Sequence, residues 1–250
     1  MTDVNAIRRL YREYVDGFRE DGQLPPMMAL KLHHTDMVVA NAEAIVKGER
    51  MDAETAEVCI LAALLHDTGR YEQLRRYNTF RDSESIDHAV FSHDIVCEKG
   101  WVNGHPHKDA VLNAVLFHNR RELPDGLDPM TFAASHCVRD ADKLDIFRVL
   151  EDRVANTDWR GNCTAFWNLP VKAAPNAEVV AAIRDGRPVD YQNIKSLADF
   201  VLIQIGWLRG ELHFGTSRAL AAGRGHLDFR RRFLAELTGG DPEVDALCRL

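Results

Sequence analysis

The stretch LAALLHDTGR, residues 61–70, decides the reading of this 250-residue chain. Five apolar residues run directly into His66-Asp67, and Thr68-Gly69 follow at once. The apolar spacing upstream predicts a helix over about 53–67, with Thr68-Gly69 as its C-terminal stop. Neighbouring residues in mid-helix point about 100° apart and seldom serve one ion. At the last turn the backbone can bend enough to aim both side chains inward. The plain structural alternative for His66 is an imidazole favoured by the negative end of the helix dipole.

Working outward, apolar residues recur mostly at spacings of three and four, with little strict alternation. Helices are expected over 3–20, 27–47, 84–99, 107–119, 131–155, 176–184, 195–213 and 225–238, with Pro25-Pro26 as punctuation and an irregular stretch over 156–176. The expected fold is all-α: one helical domain over 1–250, with a core over about 27–150 and a helical extension over about 156–250. No repeat, low-complexity stretch or linker interrupts it.

Composition narrows the function. Hydrophobic residues make up 46%, enough for a sizeable core. The chain has 31 basic and 38 acidic residues, a net charge of −7, which argues against general affinity for nucleic-acid polymers. Five cysteines, at 59, 97, 137, 163 and 248, are odd in number and lack a CxxC spacing. That disfavours a disulfide framework or a cysteine zinc site and suits a reducing cytoplasm. The longest apolar run, Val58 to Leu65, is eight residues, too short to span a bilayer. The segment MTDVNAIRRLYREYVDGFRED is charged throughout, with no signal-peptide core. A soluble cytoplasmic protein without membrane partners is the expectation.

Several polar residues fall on faces that should be apolar. His34 has Leu30 four before it and Met37 and Val38 just after. His118 follows Ala114 and Val115. His88 precedes Phe91 and Ile95, and Asp142 lies between Val138 and Ile146. Residues three or four apart share a helix face, so these four should point coreward. A buried carboxylate needs a cation and a buried imidazole a hydrogen-bond partner. Any one of the histidines alone reads as a satisfied core residue; one metal centre would serve them all together.

In this order the motifs resemble the HD-domain superfamily of metal-dependent phosphohydrolases. The pattern is a His, a His-Asp pair at a helix end, and a distant Asp. Here these are His34 in LHHTDMV, His66-Asp67 in LLHDTGR and Asp142 in RDADKLD, with two further positions at His88 in SIDHAV and His118 in VLFHN. More narrowly, HDTGRYEQLRRYNTF, RDADKLDIF and LIQIGWLRGELHF resemble bacterial stand-alone HD-domain proteins. The resemblance implies an HD-type helical bundle with a C-terminal helical extension. It implies one metal on His34, His66, Asp67 and Asp142, and a second on His88 and His118 with Asp67 bridging. His88 and His118 serving as acid, base or substrate contacts around a single ion is the alternative. Asp140, with Leu144 four residues on, competes with Asp142; the family pattern favours Asp142. His118-Asn119 stands where the cyclic-dinucleotide phosphodiesterase branch has two adjacent histidines, and that branch's Gly-Tyr-Pro signature is absent, so that activity is not expected. His33 reads as structural or supporting, His93 lies off the face of His88, and His105 and His107 read as surface loop.

Imidazole and carboxylate donors without thiolate suit Mn, Fe, Co, Ni or Zn, with Mg conceivable only at a weaker second position. Such ions would lower the pKa of a water and neutralise phosphoryl oxygens. No GxSxG, P-loop or supported Cys-His pair offers another nucleophile. Among the cations, Arg70 and Lys143 are the expected phosphate contacts and share the catalytic role with Asp67. Arg81 is a weaker third; Arg75 and Arg76 lie in the same segment, and each could equally be a solvated charge. The run Arg230-Arg231-Arg232 reads as a solvated face. Trp101, Trp159 and Trp167 lie in expected loops, where packing is the simpler role than stacking on a base. The expected function is hydrolysis of a small phosphate ester, nucleotides included. An HD-type di-iron oxygenase and a non-catalytic ligand-binding signalling module are the alternatives.

Overall fold

Helix α3, Ala53–Leu65, is the element around which the first part of the chain is built. Asp52 caps it, accepting from Thr55 N at 2.9 Å. Its second half is apolar on nearly every side, and Val58, Cys59 and Leu61 to Leu65 are buried. Burying each of its leucines contributes about 1.5–3 kcal/mol, which fixes this helix as a central rod. The computed structural model describes residues 4–160, 166 and 168–249.

The described residues are helical and contain no strand. In chain order the remaining α-helices are α1 Val4–Asp16, α2 Pro26–Gly48, α4 Gly69–Tyr77, α5 His88–Lys99, α6 Lys108–Phe117, α7 Pro129–Asn156, α8 Ala177–Arg184, α9 Leu197–Gly206, α10 Gly215–Gly223, α11 His226–Thr238 and α12 Pro242–Leu247. The chain divides into two compact units, Met1–Asp145 and Ile146–Leu250, and the division falls within α7. In the first unit α3 packs on α1, α2 and α6, while α5 packs on α4 and α6. In the second, α9 packs on α8 and α11, and α12 packs on α11 and α8. No helix among the described residues is long and apolar enough to cross a membrane.

The turn at 66–69 corrects one expectation. Helix α3 does end at His66, but Gly69 opens α4 instead of closing anything. Its glycine is required by space. A Cβ there would lie 2.7 Å from Ser92 N and 3.0 Å from His88 O, because α5 crosses directly over it. Gly69 N also donates to Ser92 Oγ at 2.8 Å. Helix α5 starts at His88, four residues later than the apolar spacing predicts, because Asp87 caps it through Ala89 N and Val90 N. Asp82–Glu84 before it form a single 3-10 turn. Helix α9 ends early in a π-helical turn, Trp207–Glu211. Helices α10 and α12 lie where the apolar pattern gives no signal.

Two further expectations are corrected. Arg230 is fully buried, not solvated; Arg231 is exposed and paired with Asp245. His105 is buried, its Nε2 3.2 Å from Glu57 Oε1, while His107 pairs with Glu54 at its edge. Trp101 is buried edge-on to Tyr14 and Trp159 edge-on to Phe233, so both pack as the simpler reading expects. Trp167 lies outside the described residues.

Candidate metal centre

Four helices of the first unit and the first stretch of α7 bring six expected residues together. His34 comes from the middle of α2, His88 opens α5, and Asp142 lies on α7. His66 and His118 occupy the same local position, the C-cap of α3 and of α6. The last carbonyls of a helix lack intrahelical donors. Both histidines meet that need, His66 Nδ1 donating to Ala63 O at 2.8 Å and His118 Nδ1 to Val115 O at 2.7 Å. A carbonyl only accepts, so in both rings the hydrogen is on Nδ1 and Nε2 carries a bare lone pair.

The other two rings are held the same way by carboxylates. His34 Nδ1 lies 2.6 Å from Asp145 Oδ2, and His88 Nδ1 lies 2.5 Å from Asp82 Oδ2. All four Nε2 atoms then face Asp67. Its Oδ2 is 3.6 Å from His34 Nε2 and 3.5 Å from His66 Nε2. Its Oδ1 is 3.7 Å from His88 Nε2 and 4.0 Å from His118 Nε2. Asp142 Oδ1 stands on the first side, 3.1 Å from His34 Nε2 and 4.0 Å from His66 Nε2. Of the two aspartates weighed from sequence, Asp142 therefore faces the rings; Asp140 is fully buried.

Electrostatics follow from this packing. Burial works against ionisation of Asp67, yet Lys31, His66 and Arg70 hold its carboxyl well below the usual range. Asp142 is also held low against burial, chiefly by its bond to His34. Burial pushes His88 and His118 down to about 4 and lowers His66, so these rings are neutral near pH 7. His34 is the exception: burial and Lys31 oppose its charged form, but Asp142 and Asp145 outweigh them and raise it. Burial opposes the charge of Asp82, and His88 and Arg70 still bring it down to about 2.

The donor set fits divalent cations. His66 Nε2 is buried with no hydrogen-bond partner. His88 Nε2 and His118 Nε2 lie 3.0 Å apart with both hydrogens on the far nitrogens, so two lone pairs face each other. Both features are costly without positive charge nearby. His34, His66 and Asp142 each place a donor atom within 4.8 Å of the others, and so do His66, Asp67 and His118. Neutral imidazoles with a second hydrogen bond on the far nitrogen are how histidines are held for metals.

The expected phosphate contacts are placed less uniformly. Arg70 Nη1 donates to Gln73 Oε1, Phe80 O and Asp82 Oδ1, and its Nε is 3.4 Å from Asp67 Oδ1. Arg81 is exposed and paired with Glu84 at 2.8 Å; Arg75 and Arg76 pair with Glu72. Lys143 is buried on α7, and His33 is exposed. Three contributors escaped the sequence reading. Asp145 and Lys31 were within reach of it, each three residues along a helix from Asp142 and His34. Asp82 lies in a short turn and gives no periodic signal.

Residues 32–146 match the family model of the HD domain. This chain is an HD-domain protein. All six residues of the cluster fall inside its HD domain. HD domains bind divalent metals, and their superfamily consists largely of metal-dependent hydrolases, with which the His/Asp groups of this HD domain are compatible. Comparison with curated proteins and with solved structures gives no significant match.

Proposed function

We propose that this HD-domain protein is a metal-dependent phosphohydrolase acting on a small phosphate ester, with nucleotides among its candidate substrates. The convergence of four imidazole Nε2 atoms on the two oxygens of one buried carboxylate carries this reading. His34, His66, Asp142 and Asp67 Oδ2 would hold one ion, and His88, His118 and Asp67 Oδ1 a second. Bound there, divalent ions of the Mn, Fe, Co, Ni or Zn type supply an acidified water and positive charge for phosphoryl oxygens. The chain's own part is to keep the four rings aimed, three of them neutral, and to keep Asp67 ionised. Arg70 is held against Asp67 and supports that carboxylate's charge. The net charge of −7 favours a small phosphorylated substrate over a nucleic-acid polymer.

The test is metal analysis of protein purified without added ion, followed by assays of phosphate release with nucleotides and sugar phosphates and, in parallel, of oxygen uptake. Bound transition metal with phosphate release, both lost in Asp67→Ala, is the expected result. Tightly bound iron with oxygen uptake and no phosphate release would replace hydrolysis by dioxygen chemistry. A chain that takes up no Mn, Fe or Zn would remove the metal reading altogether.

A further inference from the structure

Asp67 has two cationic partners that are not among the expected ligands, Arg70 and, closer, Lys31. Lys31 lies on α2 three residues before His34, on the same face of the helix. Its Nζ donates to Asp67 Oδ2 at 2.6 Å. That is the oxygen facing His34 and His66, which an ion on those residues would take. An ammonium and a divalent cation repel strongly when both lie in contact with one buried oxygen. Loading the site therefore requires Nζ to leave.

The side chain is built to move a short way. Its side chain is 19% exposed where that of Asp67 is 3%, so the lysine lies nearer solvent. Its Nζ already stands 5.6 Å over the ring of Phe80, which Arg70 also faces at 5.7 Å. A lysine is a point charge on a flexible four-carbon stem and can swing without losing that support. The neighbouring arginines are less free. Arg70 Nη1 is committed to three acceptors, and Arg81 is paired with Glu84.

We propose that Lys31 is a phosphoryl-binding residue which guards Asp67 in the metal-free protein and, displaced by the ion, meets an anionic oxygen of the substrate. This rests on the metal reading above. It makes Lys31 a competitor of the metal and a partner of the phosphate, two effects of opposite sign on two ligands.

The experiment measures Mn²⁺ affinity of the metal-free protein by chelator competition, then calorimetric binding of inorganic phosphate to the Mn²⁺-loaded protein. Lys31→Met should bind Mn²⁺ about tenfold more tightly and phosphate about tenfold more weakly than the wild type. Lys31→Gln, the second neutral variant should the first fail to fold, should give the same pair of shifts. Lys31→Arg should recover phosphate affinity to within about threefold, and Lys47→Met, at an exposed lysine in the last turn of α2, should move neither constant by that much. Unchanged phosphate affinity in the neutral variants, or Mn²⁺ affinity that is unchanged or weaker, overturns the proposal. Neither measurement needs turnover. Absent phosphate release with both shifts present would sink the hydrolase reading alone, and absent Mn²⁺ binding by the wild type would sink both.

Discussion

In the second unit Arg230, fully buried on α11, donates to Glu151 at 2.6 Å, to Gln204 at 2.8 Å and to the carbonyls of His226 and Phe147. Its guanidinium lies 4.4 Å from the centre of the Phe147 ring. In the first unit an equally buried polar cluster presents bare nitrogens and carboxylate oxygens to a common centre, and Lys31 reaches one oxygen of Asp67. Both clusters put charge where water is excluded, which is costly unless the charge is paired. The Arg230 cluster carries its cation in the chain. The Asp67 cluster is shaped for a cation that comes from outside. Burial of polar groups thus does not by itself mark a functional site, nor does one unpartnered ring nitrogen, since His226 Nε2 is another; what separates the two is that several ring nitrogens converge on one carboxylate at Asp67.

The largest expected effect tests the self-contained side. Arg230→Met should destabilise the protein by about 3–5 kcal/mol, because Glu151 loses its guanidinium partner and Gln204 and two carbonyls lose a donor. Glu151→Gln in the same background should recover part of it, and added divalent ion should recover none. Calorimetric or denaturant unfolding reads both. A loss under about 1 kcal/mol would mean the guanidinium is not the counter-charge it resembles.

A smaller effect sharpens the other side. Asp145→Asn and Asp82→Asn leave Asp67 in place but loosen the rings of His34 and His88. Each should weaken metal binding by about 10–100-fold in chelator competition. Wild-type affinity in both variants would show that the carboxylates behind the rings are incidental.

The smallest effect is a dependence on pH. Burial alone would raise the pKa of Glu151, but His226 and Arg230 hold it below its usual 4.5. A carboxyl lowered in the folded state takes up its proton first in the unfolded chain. The stability it adds is complete above about pH 4.5 and is lost as pH falls through the lower folded value. Urea unfolding of wild type and Glu151→Gln from pH 7 to pH 3 should therefore converge on the acid side. Parallel curves would detach Glu151 from the Arg230 cluster.

The helical class and most of the cluster were legible because both rest on spacing. A buried stripe repeats every three or four residues, and a polar residue set in that stripe betrays itself, as His34, His88, His118 and Asp142 do. What spacing does not carry stayed hidden. Gly69 looks like a helix stop in sequence, whereas its cause is the backbone of α5, 2.7 Å from where a Cβ would stand. Arg230 sits in a run of three arginines, and nothing local separates the buried one from its exposed neighbours. Asp82 reaches His88 from a turn whose course depends on Gln73, which donates to Asp82, Ser85 and the carbonyl of Ile86. These are contacts between distant or irregular segments, and periodicity is silent about them.

The way the four rings are held has a consequence for how this chain can vary over generations. On each side of Asp67 one ring leans on a backbone carbonyl, His66 on Ala63 and His118 on Val115, and one leans on a side chain, His34 on Asp145 and His88 on Asp82. No codon change can delete a carbonyl, whereas aspartate becomes asparagine by a single base. Each half of the cluster therefore keeps one ring that drift in its neighbours cannot easily disarm and one that selection can retune in small steps.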